Sequence, residues 1–199
     1  PMKIIANGIN LEEFNPNIKG YKKFDDGKIN ILFVGRIEER KGLVYLLEAY
    51  KILQEKHDNL RLIIIGDGPL KKDCERFVKC SGLKDVVFEG QIEDGAIAKY
   101  FNSSHIFCSP AIFGESFGIV LLEAMACKKP VCGFSNLGYK ELLEGTKGEA
   151  FLAEPRNSIK LASILERLIT DEKLRKEMGE WGYETAKKYS WEKIADQVL

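Results

Sequence analysis

Apolar residues in this chain cluster into short continuous runs that are separated by longer stretches of mixed character. Six of these runs are rich in β-branched and aromatic residues, which is typical of strands buried on both faces of a parallel sheet. The six runs are residues 29–34, 60–65, 86–90, 106–108, 131–134 and 150–152.

The stretches between the runs carry apolar residues at helical spacing. Leu43, Leu46, Leu47 and Tyr50 are one example, and they predict a helix over residues 42–56. A second helix is predicted to begin at Pro69, a third to cover residues 94–103, and a fourth to follow Gly118. From an N-cap at Asn157, helices are predicted to the end of the chain, with breaks near Thr170 and at Ser190. Strands that alternate with helices predict an α/β fold, namely a doubly wound, Rossmann-like parallel sheet with extra C-terminal helices.

Such a fold places the loops that follow its strands along one edge of the sheet, where ligands bind. The loops concerned hold Gly35-Arg36, Gly66, Gly90 and residues 110–118. We therefore expect these four segments to converge, although they are far apart in sequence.

Composition narrows the range of functions. The 199 residues suit one domain, and Lys plus Arg and Asp plus Glu number 30 each. The resulting net charge of zero argues against a nucleic-acid partner. No apolar run approaches the ~18 residues of a membrane span. The five cysteines form no C-x-x-C pair, so we expect reduced thiols in a cytoplasmic protein rather than a structural zinc site.

The segment from Gly114 to Ala126 holds the most informative chemistry. Gly118 and the N–H groups of Ile119 and Val120 lie at a predicted helix start, where unpaired amides attract a phosphate. Glu115 precedes this point and Glu123 follows it, and an ionised carboxylate accepts hydrogen bonds from hydroxyl groups but cannot hold phosphate. The pattern indicates a site for a sugar–diphosphate–ribose chain, as in a nucleotide sugar.

The same segment also matches the G-x-S-x-G nucleophile elbow of esterases. That chemistry needs a histidine after the serine in chain order. His57 and His105 both precede Ser116, so the elbow is excluded and Ser116 is predicted to cap the helix. We expect structural roles for His57 at a helix end and for His105 at a strand start.

Two cations stand at the start of the first predicted helix. Arg36 and Lys41 could hold a diphosphate, because charge-assisted contacts from Arg and Lys are worth roughly 1.5–3 kcal/mol each when partly desolvated. Taken alone, the segment also fits a solvated charged turn, since Glu38, Glu39 and Arg40 lie in it.

The paired glutamates, the Phe117-Gly118-apolar segment and the trailing Ala124-Met125-Ala126 together resemble the donor-site signature of retaining GT-B glycosyltransferases, specifically glycosyltransferase family 4 (group 1). The resemblance implies catalytic roles for Arg36 and Lys41 on the departing diphosphate and for Glu115 on the donor sugar. It also implies that Glu123 binds the ribose. The donor-binding residues that it implies are Gly35, Gly66, Gly90, Gln91, Ile92, Phe117, Gly118, Ile119, Val120 and Glu123.

The resemblance further implies how these residues act. Gln91 and Ile92 lie where the backbone reads the nucleobase, and Ile119 and Val120 contribute only N–H groups while their side chains lie in the core. The implied reaction transfers a mannosyl- or glucosyl-type hexose with retention, by substrate-assisted attack on the donor's front face, to a sugar or lipid-linked acceptor. No Asp-x-Asp metal signature follows a strand, so neither a metal nor another cofactor is expected.

The opening residues resemble the interdomain connection of the same family, which implies that the chain is the C-terminal half of a larger enzyme. We predict a connection over residues 1–20, a nucleotide-sugar-binding domain over 21–170, and C-terminal helices over 171–199 that pack on the domain or on a missing N-terminal acceptor domain. A cytoplasmic enzyme is expected, and peripheral association with the inner face of the cell membrane through the missing half is left open.

The chain departs from the family pattern at two places. Cys127-Lys128-Lys129 stands where a glycine is usual, and Ser135-Asn136-Leu137-Gly138-Tyr139 replaces a Gly-Gly segment near where donor and acceptor should meet. Two alternatives remain open, a sugar-nucleotide epimerase of similar fold and a non-catalytic nucleotide-binding domain.

Overall fold

The computed structural model of the protein describes residues 7–93 and 95–195. Its six strands form one sheet with the order β3-β2-β1-β4-β5-β6, and every neighbouring pair is parallel. The strands are β1 (Ile29–Val34), β2 (Leu60–Ile65), β3 (Val86–Gly90), β4 (Ile106–Ser109), β5 (Val131–Phe134) and β6 (Leu152–Ala153). All six residues of β2 are buried, which explains its continuous apolar run.

Helices cover both faces of this sheet. They are α1 (Leu43–Gln54), α2 (Lys71–Cys80), α3 (Ile97–Ser103), α4 (Ile119–Ala126), α5 (Leu137–Leu143), α6 (Ser158–Thr170), α7 (Glu172–Ala186) and α8 (Trp191–Ala195). Short 3₁₀ segments span Lys22–Phe24, Glu39–Lys41, Lys147–Phe151 and Lys187–Tyr189.

The core has two layers because alternate strand residues point to opposite faces. Ile31 and Phe33 of β1 pack with α1 and α6 on one face, while Leu32 packs with α3 and α4 on the other. The doubly wound, Rossmann-like prediction is therefore confirmed. Within the described residues, the model contains no helix that is both long enough and apolar enough to cross a membrane.

Four elements differ from the sequence pattern. The sixth strand begins at Leu152, because residues 147–151 form a 3₁₀ turn in which the Thr146 hydroxyl accepts from the Gly148 N–H at 3.1 Å. Helix α5 is not predicted by the apolar pattern. Helix α2 begins at Lys71 rather than Pro69, since the turn before it is held by a hydrogen bond from the Leu70 N–H to the Ile37 carbonyl. The predicted helix at 94–103 is observed from Ile97, and Asp94 lies outside the described residues.

The C-terminal helices pack on the sheet domain. Asn157 caps α6 as predicted, with its side chain accepting from the Lys160 N–H at 2.9 Å. Helix α7 lies against α4, where a Cβ added at Gly182 would be 3.1 Å from Met125. Near the other end of the chain, the Ile9 N–H donates to the Tyr189 carbonyl at 2.8 Å, so the segment before α8 pairs with the start of the described chain.

Candidate functional site

The loops after the first three strands meet backbone to backbone at the carboxyl edge of the sheet. The Gly35 N–H donates to the Ile65 carbonyl at 3.0 Å, and the Gly66 N–H donates to the Gly90 carbonyl at 2.8 Å. A side chain at Gly66 would overlap the Gly35 carbonyl, so the close approach requires glycine there. The predicted convergence of these three loops is therefore seen.

An open cleft of about 490 Å³ lies at this edge. It is lined by Arg36, Gly66, Asp67, Gly68 and Gln91. The Arg36 side chain is 68% exposed, and its Nε lies 3.3 Å from a carboxylate oxygen of Glu38.

The neighbouring residue Ile92 behaves differently from Gln91. Gln91 is exposed, whereas the Ile92 side chain is partly buried against the core. The implied contact of the Ile92 backbone with the nucleobase stays a prediction.

Lys41 and Glu115 form a short ion pair at the site. The Lys41 Nζ lies 2.6 Å from Glu115 Oε1, and the Arg40 Nη1 lies 3.1 Å from the same oxygen. The side chains of Lys41 and Glu115 are only 16% and 11% exposed. The aliphatic part of Lys41 also lies beside Gly35, which links this pair to the cleft.

The loop that carries Glu115 is fixed against the start of α1. The Ile112 N–H donates to the Arg40 carbonyl at 2.8 Å. Gly42 is left-handed with φ 68°, and a side chain there would overlap the Pro110 carbonyl. Arg40 therefore lies at the site through its contacts with Glu115 and Ile112, although its sequence context indicates only a charged turn.

Helix α4 starts at a left-handed glycine rather than at a serine cap. Gly118 has φ 83° and is the N-cap, and no side chain caps the helix, so the predicted capping role of Ser116 is wrong. The left-handed conformation of Gly118 turns the chain into the helix, and no side chain pairs the first N–H groups. The first intrahelical hydrogen bond is donated by Leu121, to the Gly118 carbonyl at 2.9 Å. The N–H groups of residues 118–120 are therefore the unpaired donors of the first turn.

The start of helix α5 packs against the loop that carries Glu115. Asn136 caps α5 by accepting from the Tyr139 N–H at 3.0 Å, and its Nδ2 donates to the Ala111 carbonyl at 2.9 Å. The Tyr139 hydroxyl and Ser109 Oγ are 2.6 Å apart in the buried interior. The segment 135–139, which departs from the family pattern, thus fixes the Glu115 loop. An Asn three residues before Tyr139 is the capping signal that could have revealed this role.

Three apolar residues of the predicted donor site point in different directions. Val120 packs on the core as predicted, but Ile119 is 37% exposed, so the expectation that its side chain lies in the core is wrong. Phe117 packs edge-on against Tyr189, with ring centroids 5.6 Å apart.

Glu123 lies one turn into α4 and has an unusual environment. Burial, and then the nearby charge of Glu13, raise the pKa of Glu123 to about 7. The described residues offer its carboxylate neither a hydrogen-bond donor nor an ion pair, and no described contact joins it to Arg36 or Lys41. Glu123 is connected to the rest of the site because it lies on helix α4, which begins next to the Glu115 loop.

The assembled groups suit a ligand that carries both phosphate and hydroxyl groups. Arg40 and Lys41 contact Glu115, Arg36 lines the cleft, and the N-terminus of α4 follows the Glu115 loop; all of these groups attract an anion. Glu115 and Glu123 provide hydroxyl acceptors on either side of that helix start. In the described ranges, no group of three or more His, Cys, Asp or Glu residues is arranged to hold a metal ion.

Comparison with known families agrees with this geometry. Residues 14–185 match the family model described as glycosyl transferases group 1, and the chain belongs to this family. The chain is 34% identical over 201 residues to a phosphatidyl-myo-inositol mannosyltransferase of Mycobacterium leprae, covering 98% of this chain and 51% of the relative. It is 33% identical to an alpha-D-kanosaminyltransferase of Streptomyces kanamyceticus, covering 87% of this chain and 45% of that protein. The chain therefore spans about half the length of these relatives.

Solved structures give the same fold. The C-terminal domain of a glycosyl transferase group 1 family protein from Francisella tularensis superposes with a TM-score of 0.80 at 28% identity, covering 92% of this chain and 100% of that one. Sucrose-phosphate synthase from Thermosynechococcus elongatus superposes with a TM-score of 0.84 at 26% identity, covering 98% and 50%. The predicted group 1 membership and the C-terminal half of the GT-B fold are confirmed.

Proposed function

We propose that this chain is the donor-binding domain of a retaining glycosyltransferase. In this proposal it binds a nucleotide diphosphate sugar, and a hexosyl group passes to a sugar or lipid-linked acceptor that a separate domain holds. The similarity to a phosphatidyl-myo-inositol mannosyltransferase supports a mannosyl- or glucosyl-type donor. Membership of a glycosyl transferase family favours transfer over the epimerase alternative.

The observation that carries the proposal is the Lys41–Glu115 contact. The two residues come from loops that follow different strands, yet their charged atoms lie 2.6 Å apart beside the start of α4. A cation for diphosphate and an acceptor for sugar hydroxyls are thereby held next to each other. Phosphate and sugar are likewise adjacent in a nucleotide sugar, so one donor molecule could contact both Lys41 and Glu115.

The residues present can support transfer without a protein nucleophile. The bond between the sugar's anomeric carbon and the diphosphate oxygen breaks, and the acceptor hydroxyl forms the new bond on the same face. The hydroxyl proton passes to the departing phosphate oxygen. Arg36, Lys41 and the amides of α4 stabilise the negative charge that develops on the diphosphate, which is where catalysis by fixed donors is strongest. These cations supply the charge that a metal ion would otherwise provide, so we propose that no metal is required.

Isothermal titration calorimetry of the chain with UDP, GDP and ADP tests the proposal. At least one nucleoside diphosphate should bind with a dissociation constant in the micromolar to millimolar range, with or without a chelator present. Its sugar-linked form should bind without detectable transfer, because in this proposal a separate domain holds the acceptor. The absence of binding by all three at millimolar concentration would rule out a donor site.

A further inference from the structure

A second group of basic residues lies at the amino edge of the sheet, opposite the site described above. It borders a cleft of about 390 Å³, which includes the entries to β4 and β5 and the first turn of α7. The charged or titratable lining residues are His105, Lys128, Lys129, Glu172, Arg175 and Lys176. None of them belongs to the proposed donor site.

Ion pairs neutralise part of this group. Lys128 Nζ lies 2.8 Å from Glu180, and Lys176 Nζ lies 2.6 Å from Glu172. Arg175 instead donates through Nη1 to two main-chain carbonyls at the end of α6, at 2.7 and 2.8 Å. Carbonyls carry only partial charge, so the positive charge of Arg175 is not cancelled.

Lys129 is the least expected member of the group. Its side chain is partly buried, and this burial lowers its pKa. The described part of the chain provides its ammonium group with neither a hydrogen-bond acceptor nor an ion-pair partner within range. Partial removal of a cation from water costs free energy when no partner replaces the water, and an anion placed beside it would recover part of that cost.

Lys129 also separates the cleft from a second hollow of about 290 Å³, which adjoins Lys22 and Asp25. His105 borders both hollows. Its Nδ1 accepts from the Asn30 N–H at 3.0 Å, so in neutral imidazole the hydrogen is on Nε2. Burial, then the charges of Arg175 and Lys129, lower the pKa of His105. Neutral His105 can therefore donate one hydrogen bond through Nε2.

We infer that this amino-edge cleft binds a phosphate group, either of a free phosphate compound or of a phospholipid headgroup. After the ion pairs are discounted, Lys129 and Arg175 leave two positive charges, which match a phosphate monoester dianion. A neutral imidazole N–H adds a directional donor. The four basic side chains against one carboxylate exclude a cation as the ligand.

Amide chemical shifts of the ¹⁵N-labelled chain test this inference, because they separate the two ends of the sheet. Potassium phosphate is titrated against potassium chloride of equal ionic strength. Saturable shifts are expected at residues 104–105, 128–129 and 175–176, with a dissociation constant in the millimolar range. If shifts occur only at residues 118–120, phosphate binds the proposed donor site alone and the inference is wrong. Because the two sites are read separately, either can fail without the other.

Charge variants locate the site. Lys129→Met keeps the stem but removes the charge, and it should weaken phosphate binding about tenfold or more. Lys173→Met is the matched control, since it removes an exposed lysine of the same surface from outside the cleft. Equal weakening by both variants would show that the attraction is general electrostatics and would overturn the inference.

A second variant is expected to strengthen binding, a result that misfolding cannot produce, so it keeps the test decisive if Lys129→Met fails to fold. Glu172→Gln removes the one acidic lining residue and frees Lys176, so it should strengthen phosphate binding severalfold. Unchanged or weaker binding would contradict the inference.

Glycerol phosphate and vesicles that contain phosphatidic acid then distinguish a free phosphate compound from a phospholipid headgroup as the source of the phosphate. Failure of both to compete with phosphate at residues 104–105 and 128–129 would also count against it.

Discussion

Lys41 is the residue on which the proposed diphosphate contact depends most. Its side chain is largely buried and lies between the Gly35 backbone and the Glu115 carboxylate. Arg36 is more exposed and is paired with Glu38, so a ligand gains less from it.

Lys41→Ala should therefore weaken the binding of the preferred nucleoside diphosphate by about 10- to 100-fold, since a charge-assisted contact is worth roughly 1.5–3 kcal/mol. Binding of the matching nucleoside without phosphate should not change. Calorimetry measures both ligands, and Lys51→Ala on the exposed face of α1 is the control. An equal loss for the nucleoside would contradict a phosphate role.

Glu123 makes a prediction about stability. Its pKa is about 7 in the folded protein, against an ordinary value of 4.5, so the folded state holds the proton more tightly than the unfolded chain. Stability from this group is complete below pH 4.5 and is lost as pH rises to 7. Urea unfolding should show that Glu123→Gln gains roughly 1–3 kcal/mol relative to wild type at pH 8 compared with pH 4. The exposed Glu75→Gln should show no such gain, and a gain of equal size there would remove the explanation.

At the scale of residues, the family resemblance and the gathering of parallel-sheet loops at one edge predict that Lys41 and Glu115 share a site, and the structure places them in contact. It could not rank Arg40 above its neighbours, since charged loop residues follow no periodicity. The Ser116 cap failed for a related reason. A left-handed glycine starts α4 without any side chain, and composition alone does not say which device a helix start uses.

Among the elements, α4 and α5 pack closely against each other beside the site. Gly118 touches the ring of Tyr139, whose hydroxyl is bonded to Ser109. A comparison of two glycines separates packing from backbone strain. Gly27 has φ 84° and Gly118 has φ 83°, but a Cβ at Gly27 meets nothing within 4 Å, whereas one at Gly118 lies 2.9 Å from the Tyr139 ring.

Gly27→Ala should cost only the left-handed strain, about 1 kcal/mol. Gly118→Ala should cost about 1–3 kcal/mol more, because Tyr139 must shift. Denaturant unfolding of both variants provides the measurement. If the two variants are equally stable, α5 does not support the loop in the way described.

The elements that sequence predicted well are those with long apolar signals. Strands β1 and β2 match their predicted limits because buried parallel strands need continuous apolar residues. Helix α5 has only seven residues and contains Gly138, which has a low helix propensity, so its pattern is too short to recognise. Strand β6 has two residues, and a turn occupies part of its apolar run.

For the whole molecule, the question is whether the helices beyond residue 170 belong to the same folding unit. Two glycines of α7 face α4. A side chain at Gly179 would overlap the Lys128 carbonyl of the main chain, whereas one at Gly182 would lie 3.1 Å from the flexible Met125 side chain.

If α7 is docked as the structure shows, Gly179→Ala should destabilise the protein by about 1–3 kcal/mol, because the backbone cannot yield easily. Gly182→Ala should be close to neutral, since the gain of about 1 kcal/mol in helix propensity offsets a contact that can relax. Thermal unfolding compares the pair. Two neutral substitutions would indicate that α7 is not part of the core.

The contact between Lys41 and Glu115 has a consequence for turnover under the proposed function. A nucleoside diphosphate by itself must compete with Glu115 for the lysine, and a free sugar must compete with the lysine for Glu115. Only a molecule that brings both groups together replaces both halves of the broken contact. Once the sugar has been transferred, Glu115 can pair with Lys41 again. The site should therefore hold the nucleotide sugar more tightly than the nucleoside diphosphate product, which favours product release.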